Sequence, residues 1–348
     1  MPAYFETGFS VREVPWHGLG KILDEYPGSW DEARRLAGLD WEPVEFPAYD
    51  IAGEPDERGF AKVEVIEGFK QIKRSDTGAR LDIAKGTYHL IPHSEMGQIL
   101  EAIMEKSDGE IQYETAGALN EGKRVWALAR LGGIREIPGD PSPMQPYMAL
   151  LNSHDGSAAL RVIATNVRIV CANTWHAADM QADRDGSAYS FKHTSGWKDR
   201  VEEAKVALAK SHAQIEHTIE EARAMLQVKV NKIQRKTFIE QFAISRVIEN
   251  TIGRRPTSRT TLEERLAQPR VAKALEMTIG EMNKLIDGRT CNGIRDSVYG
   301  LVQAAGEFAD HIRPYKTEES YFSRTMLNGY EPLKVEAVKL AREVVKSA

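Results

Sequence analysis

Basic side chains and aromatic rings alternate over residues 69–88, on either side of a turn at Asp76-Thr77-Gly78. Cations that meet phosphates, together with rings that stack on bases, hold single-stranded nucleic acids without reading their sequence. Asp76 and Asp82 dilute the charge, and alternating Lys and Arg also keep the edge of a sheet soluble. Both interpretations stay open. The residues concerned are Lys70, Lys73, Arg74, Arg80 and Lys85, with Phe69 and Tyr88 among them.

Two further groups of cations are candidates for the same role. Residues 229–259 carry eight Lys and Arg but only two acids, Glu240 and Glu249. Apolar residues are mixed into this stretch, so it predicts an amphipathic helix with a basic face, and a surface that follows a nucleic-acid backbone is the alternative. Arg161 and Arg168 flank the segment VIATNV. They are either nucleic-acid-binding residues or ion-pair partners of an acid such as Asp155.

Glu307, Asp310 and His311 are candidates for metal ligation, because a spacing of i, i+3 and i+4 puts all three on one face of a helix. Pairing on the helix surface, with Arg313 close by, is the more common use of such a trio, and no second ExxH supplies a further ligand. The sequence contains no GxxxxGK[ST], GxGxxG or GxSxG motif. We therefore assign no catalytic residue, metal or cofactor, and we favour a binding protein over an enzyme.

Sequence periodicity predicts the elements that must position these groups. Ser29 and Glu32 form a capping box, and the helix that they begin ends at Gly38. Strand patterns cover residues 61–91, and a helix with a single apolar stripe follows them. Further strands lead to Asp155-Gly156, a strong hairpin signal between two apolar runs. The first half of the chain is therefore predicted to combine helices with a mostly antiparallel sheet.

Only helical patterns follow the polar segment at 184–187. A helix of about 30 residues is predicted over 198–228, and shorter helices are expected at about 262–286, 294–312 and 333–346. The predicted fold class is α+β, with an N-terminal, mostly antiparallel sheet and its helices followed by an all-helical C-terminal half. We expect two domains, an α+β core domain at 1–190 and a helical domain at 191–348.

Composition places the chain among ordinary globular proteins, with 348 residues, 42% hydrophobic and 28% charged. The net charge of −5 is uneven, because residues 1–190 contain 19 Lys and Arg against 30 Asp and Glu, which leaves +6 for residues 191–348. Two distant cysteines, Cys171 and Cys291, do not indicate a disulfide framework. The first residues show no basic leader before an apolar stretch, and no apolar run reaches membrane-spanning length. We expect a cytoplasmic protein that does not enter a membrane.

Several segments resemble the phage/plasmid-like protein family, whose core is catalogued as domain of unknown function 932. They are PWHGLG at 15–20, AGLDWEPVEFP at 37–47, SHDGSAALRVIATNVRIVCANT at 153–174, AAGEFADHIRP at 304–314 and the later YFSRTMLNGYEPLKVEAVKLA. The third is the most specific, since it joins an Asp-Gly hairpin to an arginine and a Cys-x-Asn-Thr stretch. Trp175 departs from the family's Asn-Thr-Leu pattern. The resemblance implies a gene of a mobile element that acts inside a bacterial host, and it implies no particular activity.

Three functions are ranked on these grounds. The leading hypothesis is a homo-oligomeric protein that binds single-stranded DNA and promotes annealing in recombination or replication, and the order of hairpin, helix and strands is similar to that of phage annealing proteins. The charge of −11 on the first half opposes this hypothesis everywhere except at the basic hairpin. A non-catalytic module that binds a protein through its helical half is the alternative. A metal-dependent enzyme built on Glu307, Asp310 and His311 comes third.

Overall fold

The computed structural model describes residues 5–12, 20–104, 112–168, 173–175, 188–196, 216–252, 264, 266–313 and 332–347. The strands are β1 (Phe5–Val11), β2 (Lys21–Leu23), β3 (Pro43–Ala52), β4 (Lys62–Arg74), β5 (Arg80–Lys85), β6 (Gln112–Leu119), β7 (Arg124–Arg130), β8 (Met144–Ser153), β9 (Leu160–Arg168), β10 (Asn173–Trp175) and β11 (Ala188–Phe191). The helices are α1 (Trp30–Leu36), α2 (His93–Met104), α3 (216–227), α4 (Lys232–Ile252), α5 (Pro269–Asp287), α6 (Val298–Glu307), a π-helix (Phe308–Ile312) and α7 (Pro332–Lys346).

The larger of two sheets has eight strands in the order β10-β9-β8-β7-β6-β1-β2, with β11 also paired to β9. All of its pairings are antiparallel except the one between β1 and β2. One face of this sheet, with residues such as Ala127 and Met148, shares a single hydrophobic core with helical residues such as Phe242, Tyr299 and Leu333. The helices of the second half are therefore packed into the same core as the sheet of the first half.

The smaller sheet has three antiparallel strands in the order β3-β4-β5. A separate buried cluster of Trp41, Ile72, Leu81 and Ala84 lies beneath it, with Tyr88 packed against the cluster. The inner side of this sheet is thus fixed by apolar contacts.

The predicted capping box at the start of α1 is confirmed. The Ser29 hydroxyl accepts a hydrogen bond from the backbone N–H of Glu32 at 3.2 Å, and the Glu32 carboxylate accepts one from the N–H of Gly28 at 2.9 Å. Gly38 has a φ of +73°, in the left-handed region that glycine adopts at the end of a helix.

The predicted all-helical C-terminal half is wrong, because strand segments continue into it. Strand β11 reaches Phe191 and pairs with β9 at Leu160, and Phe191 is fully buried. Farther along, Lys229 and Ser297 form an antiparallel bridge, so the second half combines helices with strand segments. Strand β11 was missed because its four residues directly follow a polar segment. The bridge was missed because one residue on each side is too short for an alternating pattern.

The predicted domain boundary near residue 190 stays a prediction, since residues 176–187 and 197–215 lie outside the described ranges. Residues 197–215 include the first part of the long helix predicted at 198–228. The structure describes the end of that helix as α3. Within the described residues no helix is long and apolar enough to span a membrane.

Candidate nucleic-acid interface

The register of the three-stranded sheet separates its side chains into two faces. Residues that stand directly opposite each other in antiparallel strands project to the same side. Phe46 lies opposite Gln71, which lies opposite Ile83, and this row defines the face that points away from the buried cluster. We call this side the outer face; it also carries Val44, Phe69, Lys73, Arg80 and Lys85.

Three of the predicted cations meet on the outer face. Lys73 on β4 is directly opposite Arg80 on β5, and Phe69 is opposite Lys85. Two like charges placed opposite each other across strands repel and weaken a sheet. Arg80 and Lys85 are exposed, and within the described part of the chain neither forms an ion pair. A bound anion such as a phosphate would relieve the repulsion between Lys73 and Arg80.

Two exposed aromatic rings accompany these cations. Phe46 and Phe69 are 47% and 44% exposed, although a phenyl ring on a strand is ordinarily buried. The ammonium group of Lys73 lies 5.1 Å from the centre of the Phe46 ring. Phe46 was not among the predicted residues, because it belongs to β3 and only the strand register brings it beside Lys73.

The structure places Lys70 and Arg74 on the opposite side of the sheet, where carboxylates neutralise them. Lys70 Nζ is 2.7 Å from Glu45 Oε1, and its side chain is largely buried. Arg74 pairs with Asp76 at 2.8 Å and also with Glu6 on β1. These cations hold the small sheet together and attach it to the large one.

Arg74 also packs on an aromatic ring, in addition to its two ion pairs. Its guanidinium lies 4.0 Å from the centre of the Trp41 ring. Hydrogen bonding to Asp76, and then to Glu6, raises the pKa of Arg74, and the same bond lowers the pKa of the Asp76 carboxyl to about 2. Both groups therefore stay charged across the working pH range of a protein.

Tyr88 contributes to the junction between the two sheets. Its hydroxyl donates a hydrogen bond to the backbone carbonyl of Ser153 at 2.8 Å, and its ring stacks on His193 at 4.6 Å between centroids. Burial raises the pKa of the Tyr88 hydroxyl. The ring has its partners inside the protein and is not placed to stack on a base.

Arg161 and Arg168 lie on β9, away from the small sheet. Arg161 lines a cleft of about 270 Å³ together with Arg124, Trp126 and Ser157. Asp155, the acid considered as its partner, accepts a hydrogen bond from the backbone N–H of Ser157. Arg168 ends β9, with its backbone paired to Met144 and Asn173, and its side chain lies outside the described part of the structure.

A buried histidine pair lies where the two sheets meet. His93 and His154 are both fully buried, and their Nε2 atoms are 2.8 Å apart. The edge of the Trp41 ring packs on His93 at 4.4 Å between centroids. Burial lowers the pKa of His93 to about 4 and the pKa of His154 well below its usual value, so both imidazoles are neutral near pH 7. Sequence reasoning missed this pair, because 61 residues separate its members.

The basic stretch at 229–259 also contains both exposed cations and cations that have partners inside the protein. Lys229, Lys232 and Lys236 are exposed. Arg235 is paired with Asp287 at 2.8 Å, and Arg246 is half-buried above the Phe308 ring. Residues 253–259, with three of the arginines, lie outside the described part of the chain.

The candidate metal ligands are not brought together as an α-helix would place them. Glu307 ends α6, whereas Asp310 and His311 belong to the π-helix, whose wider turn changes their angular spacing. Asp310 is buried in an ion pair with Lys334 at 2.6 Å, and Glu307 accepts a hydrogen bond from Thr290. Among the described residues no three His, Cys, Asp or Glu side chains are placed to hold a metal ion.

Fold and surface define an α+β protein whose smaller sheet carries a basic and aromatic face. The chain belongs to the family described as Domain of unknown function (DUF932), which matches residues 80–328. It matches no curated protein and no solved structure. The family match includes β5 with Arg80 and Lys85, while β3 and β4 precede it.

Proposed function

We propose that this protein binds single-stranded DNA on the outer face of its three-stranded sheet. The observation that carries the proposal is the placement of Lys73, Arg80 and Lys85 beside the exposed rings of Phe46 and Phe69. The paired rows of this face, which run from Val44 and Phe46 to Ile83 and Lys85, contain no Asp or Glu, and the nearest acid along β4 is Glu67, two residues before Phe69. Cations for the backbone and rings for the bases are the two components of sequence-independent single-strand binding.

The geometry suits a single strand better than a duplex. In a duplex the bases are stacked on each other and their faces are covered, so only phosphates and groove edges reach a flat protein surface. Phe46 and Phe69 can contact only bases that are free to leave their own stack. The three cations would then hold the phosphates between these rings.

The acidic first half limits the strength of this binding. A charge of −11 over residues 1–190 repels a polyanion, and Lys70 and Arg74 are already neutralised by carboxylates. Attraction therefore comes from a small number of cations. We expect log K to fall with log salt with a slope of only about −2, since each of three phosphate contacts to a single strand contributes about −0.7.

The biological setting is part of the proposal. Together with the resemblance to the phage/plasmid-like protein family, single-strand binding suits a protein that promotes annealing during recombination or replication of a mobile element. This activity would take place in the cytoplasm of a bacterial host.

Two double variants separate the roles of the cations and of the rings. Lys73→Ala/Arg80→Ala should lower single-strand affinity and reduce the slope of log K against log salt by roughly 1.4, since each phosphate contact to a single strand contributes about 0.7. Phe46→Ala/Phe69→Ala should lower affinity about tenfold or more without changing that slope, because stacking contributes roughly 1–3 kcal/mol per base. Fluorescence anisotropy with labelled oligonucleotides measures both quantities.

Lys232→Ala/Lys236→Ala is the matched control, because it removes two exposed lysines from the basic stretch of α4. Affinity and salt slope should equal those of the wild type. If this control loses affinity while the variants of the small sheet keep it, the binding surface lies on the helical half instead.

A protein partner for the helical half is the second candidate. Ile233 on α4 and Met277 on α5 are exposed, and these two helices pack against each other. If the wild type bound no oligonucleotide, these two exposed side chains would be the first to substitute in tests with protein ligands.

A further inference from the structure

The far end of the β3–β4 ribbon is an amphipathic surface of its own. Beyond the bulge that follows Pro47, Tyr49 is opposite Val65 and Ile51 is opposite Val63. The alternate positions pair Asp50 with Glu64, so one side of the ribbon is apolar and the other is charged. We call the apolar side, with Tyr49, Ile51, Val63 and Val65, the tip face.

The tip face is open to solvent. Its four side chains are between 49% and 68% exposed. Phe60, in the loop at the end of the ribbon, is 72% exposed, and its backbone is held by two hydrogen bonds to Asp56. The loop is therefore ordered around an exposed phenyl ring.

This much apolar surface is unusual for a protein that works alone. Together the five side chains expose roughly 500 Å², which is near the largest contiguous apolar patch of a typical monomer. Eight of the 14 large hydrophobic residues exposed in the described structure lie between Phe46 and Ile83, that is, in the small sheet or its ribbon. Exposed apolar side chains concentrated on a ribbon with open edges favour association with another protein surface.

We propose that the tip face binds the tip face of a second copy of this chain, so that two ribbons pack apolar side to apolar side around a two-fold axis. Such a contact would bury about 1,000 Å² in total, the lower bound for a specific interface. The paired rows of the tip face carry no charge, so two copies of it can pack on each other without burying a charged group.

Charge favours the same arrangement. The acids of the two paired strands, Asp50 and Glu64, project to the side opposite the tip face, and the other acids, Glu54, Asp56 and Glu57, are in the loop at the end of the ribbon. With two sheets packed about 10 Å apart, the acids of one copy are farther than that from the acids of the other. Salt screens charges at such distances, because the Debye length is about 10 Å at 0.1 M ionic strength. Repulsion between these strand acids of the two copies is therefore small in this geometry.

The dimer does not depend on nucleic-acid binding. If the proposed function holds as well, one dimer presents two outer faces, and two single strands could be held by one particle. That arrangement would suit annealing.

The test is the mass of the full-length protein in solution, measured without nucleic acid by size-exclusion chromatography with light scattering. The wild type should have twice the chain mass of 38.9 kDa. Ile51→Asp/Val63→Asp should have the mass of one chain, because it places four carboxylates in the proposed interface. The matched control Asp50→Asn/Glu64→Gln changes the same two strands on their charged side and should remain a dimer.

Two further observations keep the proposal open to refutation if the Asp variant folds poorly. Tyr49→Ser, a milder change on the tip face, should raise the dissociation constant at least tenfold while the far-ultraviolet circular dichroism stays unchanged. Adding ammonium sulfate should strengthen the dimer, as expected for apolar burial. A wild type that is monomeric at all concentrations, or a dimer that survives both tip-face variants, would overturn the proposal.

Discussion

At the scale of single residues, the His93–His154 pair links proton binding to folding. Their Nε2 atoms lie 2.8 Å apart, so one ring donates the shared proton and the other accepts it. Protonating both rings would place two positive charges side by side in a buried site. The pair also lies at a structurally important position, because the backbone carbonyl of His93 accepts a hydrogen bond from the indole of Trp30 and its N–H donates to Glu42.

The pair should make stability depend on pH below neutrality. The folded pKa of His93, about 4, is lower than its ordinary value of 6.5, so between these values the unfolded chain binds more protons than the folded one. Stability is therefore fully present above pH 6.5 and is lost as the pH falls. From pH 7 to pH 5, His93 alone should reduce the free energy of unfolding by about 2 kcal/mol. Urea unfolding at the two pH values measures this loss.

Variants at two histidines identify the source of this dependence. His93→Gln should be less stable than the wild type at pH 7 but should lose less stability on going to pH 5. The control His217→Gln replaces an exposed histidine of α3 and should behave as the wild type does. Equal losses in the wild type and in His93→Gln would exclude His93 as a cause.

Lys73 and Arg74 show what residue types alone could and could not predict. The sequence predicted a basic hairpin with aromatic rings between the cations, and β4 and β5 form it. Neighbouring residues in a strand project to opposite sides, so Lys73 lies on the outer face while Arg74 is paired with Asp76 and Glu6. The acids that neutralise Lys70 and Arg74 include residues from β1 and β3, and such distant partners leave no mark in the local sequence.

At the scale of elements, the packing of α1 on α2 depends on a glycine. A Cβ atom added to Gly97 would lie 1.8 Å from Trp30 Cγ, so the indole ring occupies the space that a side chain would need. Trp30 is held there by the hydrogen bond from its Nε1 to the carbonyl of His93 at 2.6 Å. The helix that begins with His93 is thereby fixed against the helix that the capping box begins.

Gly97→Ala should therefore destabilise the protein, although alanine is the better helix former. Overpacking of this kind costs about 1–3 kcal/mol or more. The matched control is Gly280→Ala in α5, where an added Cβ meets nothing within 4 Å and should stabilise by about 0.5–1 kcal/mol. Thermal unfolding of both variants should show shifts of opposite sign. A Gly97→Ala protein as stable as Gly280→Ala would contradict the close approach of Trp30.

Elements with a strong local signal could be predicted, and those defined by distant pairing could not. The capping box of α1, the apolar stripe of α2 and the strands around Asp155-Gly156 follow from residue types and spacing. Strand β11 is defined by its backbone pairing with β9, which is distant in sequence. The π-helix changes the angular spacing of Asp310 and His311. Both are set by tertiary packing, which a local pattern does not contain.

At the scale of the whole molecule, the larger sheet of the acidic half and the helices of the basic half share a single core. The sequence predicted this α+β composition, but it also predicted that strands end where the helices begin. The distribution of charge matters for function, since attraction to a polyanion must come from a local surface rather than from the net charge of −5. The outer face of the small sheet is such a surface.

The central claim is that this surface selects single strands, and the most direct test is the binding of the wild-type protein to matched single- and double-stranded oligonucleotides. Fluorescence anisotropy at several salt concentrations gives both affinities and their salt slopes. We expect tighter binding to the single strand, with log K falling linearly as log salt rises. Binding that is equal for the duplex, or absent even at low salt, would contradict the claim.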